Sequence, residues 1–170
     1  EGRLPLSSYF WKQLPQIRAA PSPERAFLCA MGLTLEAANL DHTLRYRRAF
    51  LEAGDRETAD VLQRVHDEEV GHVRHANKWL KALDDLEGGG GIGQRTGEET
   101  MTAQDVALYE KYVVFPFEAH KARAKPMDIE SRRRAGLSED FIRHVQSARR
   151  KPTPESYRRE SVNRSGDTAS

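Results

Sequence analysis

All-α is the fold class this sequence predicts, and three observations carry it. Two long segments without proline, from Glu24 to about Ala53 and from Asp55 to about Asp85, repeat apolar residues at steps of three and four. The two-residue alternation that a half-buried strand needs is missing. Between the segments stands only Gly54, a turn too short for anything but reversal into an antiparallel hairpin.

Each element follows from local chemistry. A short aromatic helix around Tyr9-Phe10-Trp11 is closed by the stretch holding Pro21 and Pro23. Ser22 then offers an N-cap and Pro23 a first helical position, the usual order at a helix start. The first long helix continues to Ala53, with Gly32 as its only interior glycine, and Gly54 ends it as a C-terminal cap. Asp55 caps the second long helix and Glu57 sits in its first turn. The hairpin therefore spans 23–86. Residues 87–99, "EGGGGIGQRTGEE", hold too much glycine to pack and read as a loop. C-terminal helices are expected within 100–148: Thr102 to Tyr112, Ile129 to Ala135, and Ser138 to Ser147. The stretch "VVFPFEAHKARAKPMD" makes an irregular connection between them. Residues 149–170 lack a core-forming pattern and are expected to be disordered, which leaves one domain over 1–148.

Composition narrows the function classes. A chain of 170 residues with 38% hydrophobic and 31% charged residues supports one domain with a modest core. A formal charge of +1 gives no field arguing for nucleic acid or membrane as principal partner. The basic run Lys121, Arg123, Lys125, Arg132, Arg133 and Arg134 is interleaved with Glu118, Asp128 and Glu130, so it reads as a solvated surface. Cys29 is the only cysteine and lies among apolar residues, which suggests a buried thiol in a reducing compartment and favours the cytoplasm. No run approaches a membrane span, and the N-terminus has no signal-peptide pattern. The first residues, "EGRLPLSS", resemble a connecting loop and suggest a fragment of a longer protein.

Chemistry concentrates in "HDEEVGHVRH", His66 to His75. Leu62, Val65, Glu69, His72, Ala76, Trp79 and Leu83 fall at alternating steps of three and four, which predicts that Glu69 and His72 sit in an apolar seam. An ionised carboxylate there must protonate, pair or bind a metal. Side chains three residues apart on a helix can meet at one centre, and Glu-x-x-His is the arrangement by which ferritin-type bundles hold two metals. Glu36 lies 18 residues before Gly54 and His72 18 after it, so both stand roughly 27 Å from the turn. Cys29, Leu33, Glu36 and Leu40 follow a seam of their own. The metal-free alternative is a buried Glu36–His72 or Glu69–His72 ion pair. His66 and His75 are expected on the surface, and Asp67 and Glu68 on solvated or intermediate faces, with Glu68 an alternate ligand at i,i+4 to His72. Gly71 either lets the neighbouring helix approach closely or is a tolerated cost of about 1 kcal/mol. Phe115-Pro116-Phe117 and Tyr9-Phe10-Trp11 are expected to cover the hairpin.

"LEAANLD" around Glu36, "GDRETADVLQRVHDEEVGHV" from Gly54 to Val73, and "KPMDIESRRRAGLSEDFI" from Lys125 to Ile142 together resemble the ferritin-like domain-of-unknown-function family 455 (DUF455). The resemblance implies a ferritin-like helical bundle, of which this chain would hold the second hairpin and the C-terminal short helices. It also implies a di-iron carboxylate site in which Glu36, Glu69 and His72 are ligands, with manganese as the other metal that suits them. The implied activity is oxygen-dependent oxidation of an unknown small molecule. The family's first two bundle helices, which should bring another Glu and a second Glu-x-x-His, are absent from these 170 residues. Truncation upstream is the simplest account; a homodimer that builds one site from two hairpins is the other. Competing with an enzyme are a metal store or sensor on the same helices and a metal-free helical interaction module.

Overall fold

Capping chemistry at the turn builds the hairpin. Gly54 adopts φ 82°, a left-handed conformation open to glycine at no steric cost, and reverses the chain. Asp55 then accepts hydrogen bonds from the Thr58 amide (2.9 Å) and hydroxyl (2.7 Å), which holds its carboxyl below the usual range and starts the second rod. The computed structural model describes residues 9–87 and 101–150. After α1 (Tyr9–Arg18), the first rod runs without interruption through α2 (Pro23–Phe27), a π-helical segment (Leu28–Glu36) and α3 (Ala37–Glu52). The second rod is α4 (Arg56–Glu87). There follow α5 (Met101–Tyr112), a 3₁₀ turn (Ala119–Lys121), α6 (Ile129–Arg134) and α7 (Glu139–Ser147).

The structure is all-α, with no strand among the described residues. Asp128 and Ser138 cap α6 and α7 by accepting the amides of Ser131 and Phe141. Ser22, by contrast, stands at the cap position without a side-chain bond, and Pro23 alone marks that start. The expected glycine loop, apart from Glu87, and the expected disordered tail beyond Arg150 lie outside the described residues.

The π segment has no signature in apolar spacing. It is the buried Thr34 that binds there, donating to the carbonyl of Cys29 five residues earlier (2.8 Å) and lying 2.8 Å from the Tyr109 hydroxyl. Tyr109 in turn donates to the carbonyl of Phe117 (3.0 Å), so the widened turn is tied to α5 and to the connection after it. Burial also pushes the Cys29 thiol up to about 12, an inert core thiol.

One face of the hairpin carries the main core. Cys29, Leu33, Ala37 and Leu40 meet Val70, Val73, Ala76 and Leu80, and Tyr109, Phe141, Ile142 and Val145 close over them. This corrects the expected seam of α4. The buried positions are His66, Val70, Val73, Asn77 and Leu80, one residue beyond Val65, Glu69, His72, Ala76 and Trp79. Of the expected seam Ala76 is buried, whereas Glu69 sits at the margin, His72 is exposed and Trp79 is 47% exposed. Steps of three and four occur in both registers; the C-terminal helices decide which one is inside.

Two polar residues expected on the surface are buried. His66 is 2% exposed, its Nδ1 3.0 Å from the Thr43 hydroxyl and its Nε2 2.9 Å from that of Ser131. A Thr, a Ser and Asp128 at 3.6 Å satisfy the ring where apolar neighbours would not. Arg132 is 1% exposed and breaks the solvated reading of its basic run, although Arg133 and Arg134 keep it. Of the aromatic clusters, Phe117 is buried, whereas Trp11 and Phe115 are 68% and 66% exposed. No helix of the described residues is long and apolar enough to cross a membrane.

Candidate metal centre

The two rods bring Glu36, Glu69 and His72 together. One ligand atom from each lies within 4.8 Å of the others. Glu36 closes the π segment of the first rod, and π turns displace side chains from the positions a regular helix would give them. Glu69 and His72 come from one face of α4, their side chains 3.2 Å apart between Oε2 and Nδ1. Glu68 and His75 are exposed and stand outside the cluster.

Burial grades across the site. The Glu69 side chain is 12% exposed and that of His72 is 58% exposed, with Glu36 half-buried. The centre is thus a notch in the hairpin's open flank, on the side away from the core. Glu36 feels both the notch and its neighbours: burial first, then the negative charge of Glu69, raise its carboxyl above the usual range, and His72 opposes them. Crowding of two carboxylates disfavours their joint ionisation, and a cation placed among them would reverse that preference.

Residues not foreseen from spacing shape the notch. Asn39 donates from Nδ2 to Glu69 Oε1 at 3.0 Å, which fixes one oxygen and leaves the other facing His72. Its position, three residues after Glu36 on the first rod, is the signal that could have found it. Gly32 is the second. A Cβ there would stand 2.1 Å from the Cβ of Ala76 and 3.6 Å from Glu36 Oε2, so its missing side chain sets how closely the rods cross beside the cluster. Close approach therefore belongs to Gly32; a Cβ on Gly71 would meet nothing within 4 Å.

Two carboxylates and an imidazole form a donor set that suits iron or manganese. Carboxylate oxygens favour hard cations, and the imidazole adds a borderline nitrogen. If a metal were held there, three side chains from one hairpin would leave coordination positions open on the exposed side.

Comparison with known proteins adds a family and nothing more specific. No curated protein and no solved structure matches the chain. The family model described as "Protein of unknown function (DUF455)" matches residues 2–143, which takes in the whole hairpin, the cluster and most of α7, and the chain belongs to that family.

Proposed function

We propose that this is a ferritin-like metal-binding protein whose Glu36, Glu69 and His72 hold iron, or manganese, in a carboxylate-rich centre, and that oxygen-dependent oxidation of a small molecule is its activity. The observation that supports this reading is the convergence of three ligand atoms from two helices within 4.8 Å. Two of the three sit in Glu-x-x-His spacing, the pattern by which bundle proteins present ligands to paired metals.

The metal would supply the binding and reduction of oxygen. Glu36 and Glu69 provide the negative charge that retains it, and His72 a neutral nitrogen donor. Asn39 orients Glu69 and so presets one ligand before binding. The exposed flank leaves a path for oxygen and substrate. A lone buried thiol, Cys29, fits a reducing cytoplasm.

The metal-free reading fares worse on one point. An ion pair retained for stability should be buried, and the His72 side chain is 58% exposed. His72→Ala should therefore leave the unfolding midpoint nearly unchanged.

Metal content after anaerobic Fe(II) loading and desalting tests the assignment. The unaltered chain is expected to retain iron, and Glu69→Ala and His72→Ala to lose most of it while keeping the helical circular dichroism. Asn39→Ala should weaken retention about 10- to 100-fold. Iron held undiminished by both ligand variants would sink the assignment. Repeated oxygen consumption by the loaded protein with an oxidisable substrate separates an enzyme from a store, which consumes oxygen once.

A further inference from the structure

The end of α5, the connection after it and the end of α7 close around a cavity of about 440 Å³. Its lining shares no residue with the Glu36, Glu69, His72 cluster and lies wholly within residues 110–149. Hydrogen bonds fix its walls. Tyr109 donates to the Phe117 carbonyl (3.0 Å), which sets how the chain leaves α5. Arg123 donates from Nε to the Val145 carbonyl (2.8 Å) and from Nη2 to that of Ala148 (3.0 Å), which holds the end of α7 against the connection. The side chains that face the cavity are therefore preset.

Two kinds of surface meet there. Val113, Val114 and Phe115 supply the apolar part, with Phe115 66% exposed. Glu110, Glu118, Arg149 and two imidazoles supply the polar part. His144 Nε2 stands 2.9 Å from Glu110 Oε1, and His120 Nδ1 3.5 Å from Glu118 Oε2. The side chains of His120 and Glu118 are 17% and 23% exposed. Burial holds the His120 imidazole below its usual range, Glu118 opposes this, and the positive charges of Lys121, Arg150 and Arg123 add to it. A neutral imidazole offers one donor and one acceptor, and an ionised carboxylate has about four acceptor sites, so one imidazole beside each carboxylate does not exhaust it.

We infer that this cavity binds a small zwitterion, an α-amino acid with an apolar side chain, whose ammonium meets Glu110 and Glu118, whose carboxylate meets Arg149 and whose side chain lies on Val113, Val114 and Phe115. The presence of both signs of charge decides the class. A simple anion would face two carboxylates. A simple cation would face Arg149, with Lys121, Arg123 and Arg150 near enough to act on His120. An uncharged apolar molecule would take water from the polar side chains and return no hydrogen bond. A zwitterion meets each sign with its opposite and covers the apolar lining. The volume lies within the range of about 300–1,000 Å³ usual for small-ligand pockets.

Isothermal titration calorimetry of the full chain with L-phenylalanine and L-leucine tests this. Phenylpropionate and phenylethylamine are the comparison probes, since each keeps the ring and only one of the two charges. The expected result is one amino acid bound per chain, with either single-charge probe at least tenfold weaker, because each forgoes hydrogen bonds to a charged group. Glu118→Gln and Arg149→Gln should each weaken amino-acid binding about tenfold with the helical circular dichroism unchanged. Arg149 is exposed, so its variant serves even where Glu118→Gln disturbs the fold. Binding of neither amino acid at millimolar concentration overturns the inference. So does a single-charge probe that binds as tightly as phenylalanine, or an amino-acid affinity that Arg149→Gln leaves untouched. The titration needs no metal, so its outcome stands apart from the reading of Glu36, Glu69 and His72.

Discussion

Arg132→Met should cost the domain about 3–5 kcal/mol, the range seen when one partner of a buried ion pair is removed. The guanidinium meets Asp41 through two bonds, 2.7 Å to Oδ1 and 3.0 Å to Oδ2, with both side chains almost fully out of water. It also donates to the carbonyls of Ala37 (2.9 Å), Ala122 (2.8 Å) and Asp128 (2.8 Å). Asp41 accepts, besides, the amides of Ala124 and Asp128, each at 2.7 Å. One salt bridge thus ties α3 to the irregular connection and to α6. Methionine fills similar volume but leaves a buried carboxylate with two amides and no countercharge, and it removes a donor from three carbonyls. Asp41→Asn should cost less, because the amide oxygen still accepts one backbone N–H. Urea unfolding checks this: the midpoint should fall with an unchanged slope. A loss below about 1 kcal/mol for Arg132→Met would show that water reaches the pocket and that the pair is no keystone.

That pair also marks the limit of what the sequence discloses. The helices were legible because their signals are local: Pro23, Gly54, Asp55 and Ser138 act on neighbours within a turn. The cluster was legible for a related reason, since a turn as short as Ala53 to Asp55 fixes which levels of two rods face each other. Arg132 was not, because its partners lie up to 95 positions away and its sequence neighbours Arg133 and Arg134 are solvated. His66 was missed for the same cause: Ser131, 65 positions on, is what makes a buried imidazole tolerable. The one-residue error in the α4 seam has a different origin. A helix flanked on two sides carries apolar residues in two adjacent registers, one for the core and one for the open flank that holds Glu69 and His72, and spacing does not rank them. The seam read from the sequence was therefore the register beside the core, in which Trp79 and His72 are exposed.

Gly32→Ala should reduce stability by about 1–3 kcal/mol and weaken metal retention at a position that contributes no ligand. In an ordinary helix the same change stabilises by nearly 1 kcal/mol, so the sign is diagnostic. Here the added Cβ would stand 2.1 Å from that of Ala76, far inside van der Waals contact, and it meets a side chain with no rotamer to turn away. The rods must part, and they would part beside Glu36, whose Oε2 is 3.6 Å from the same point. Ligand atoms now within 4.8 Å of one another would separate by the same movement. Ala76→Gly supplies the control. Alone it should cost about 1 kcal/mol for helix propensity, but combined with Gly32→Ala it removes the clashing atom; the Ala76 Cα, at 3.6 Å, is an ordinary contact. The double variant should therefore recover both metal retention and most of the lost stability, a non-additivity that a double-mutant cycle measures directly. Costs that merely add in the double variant would show that the rods do not cross at these two residues. Recovery of stability without recovery of metal would separate the crossing from the site and place the control of ligand spacing elsewhere, in the π turn that ends at Glu36.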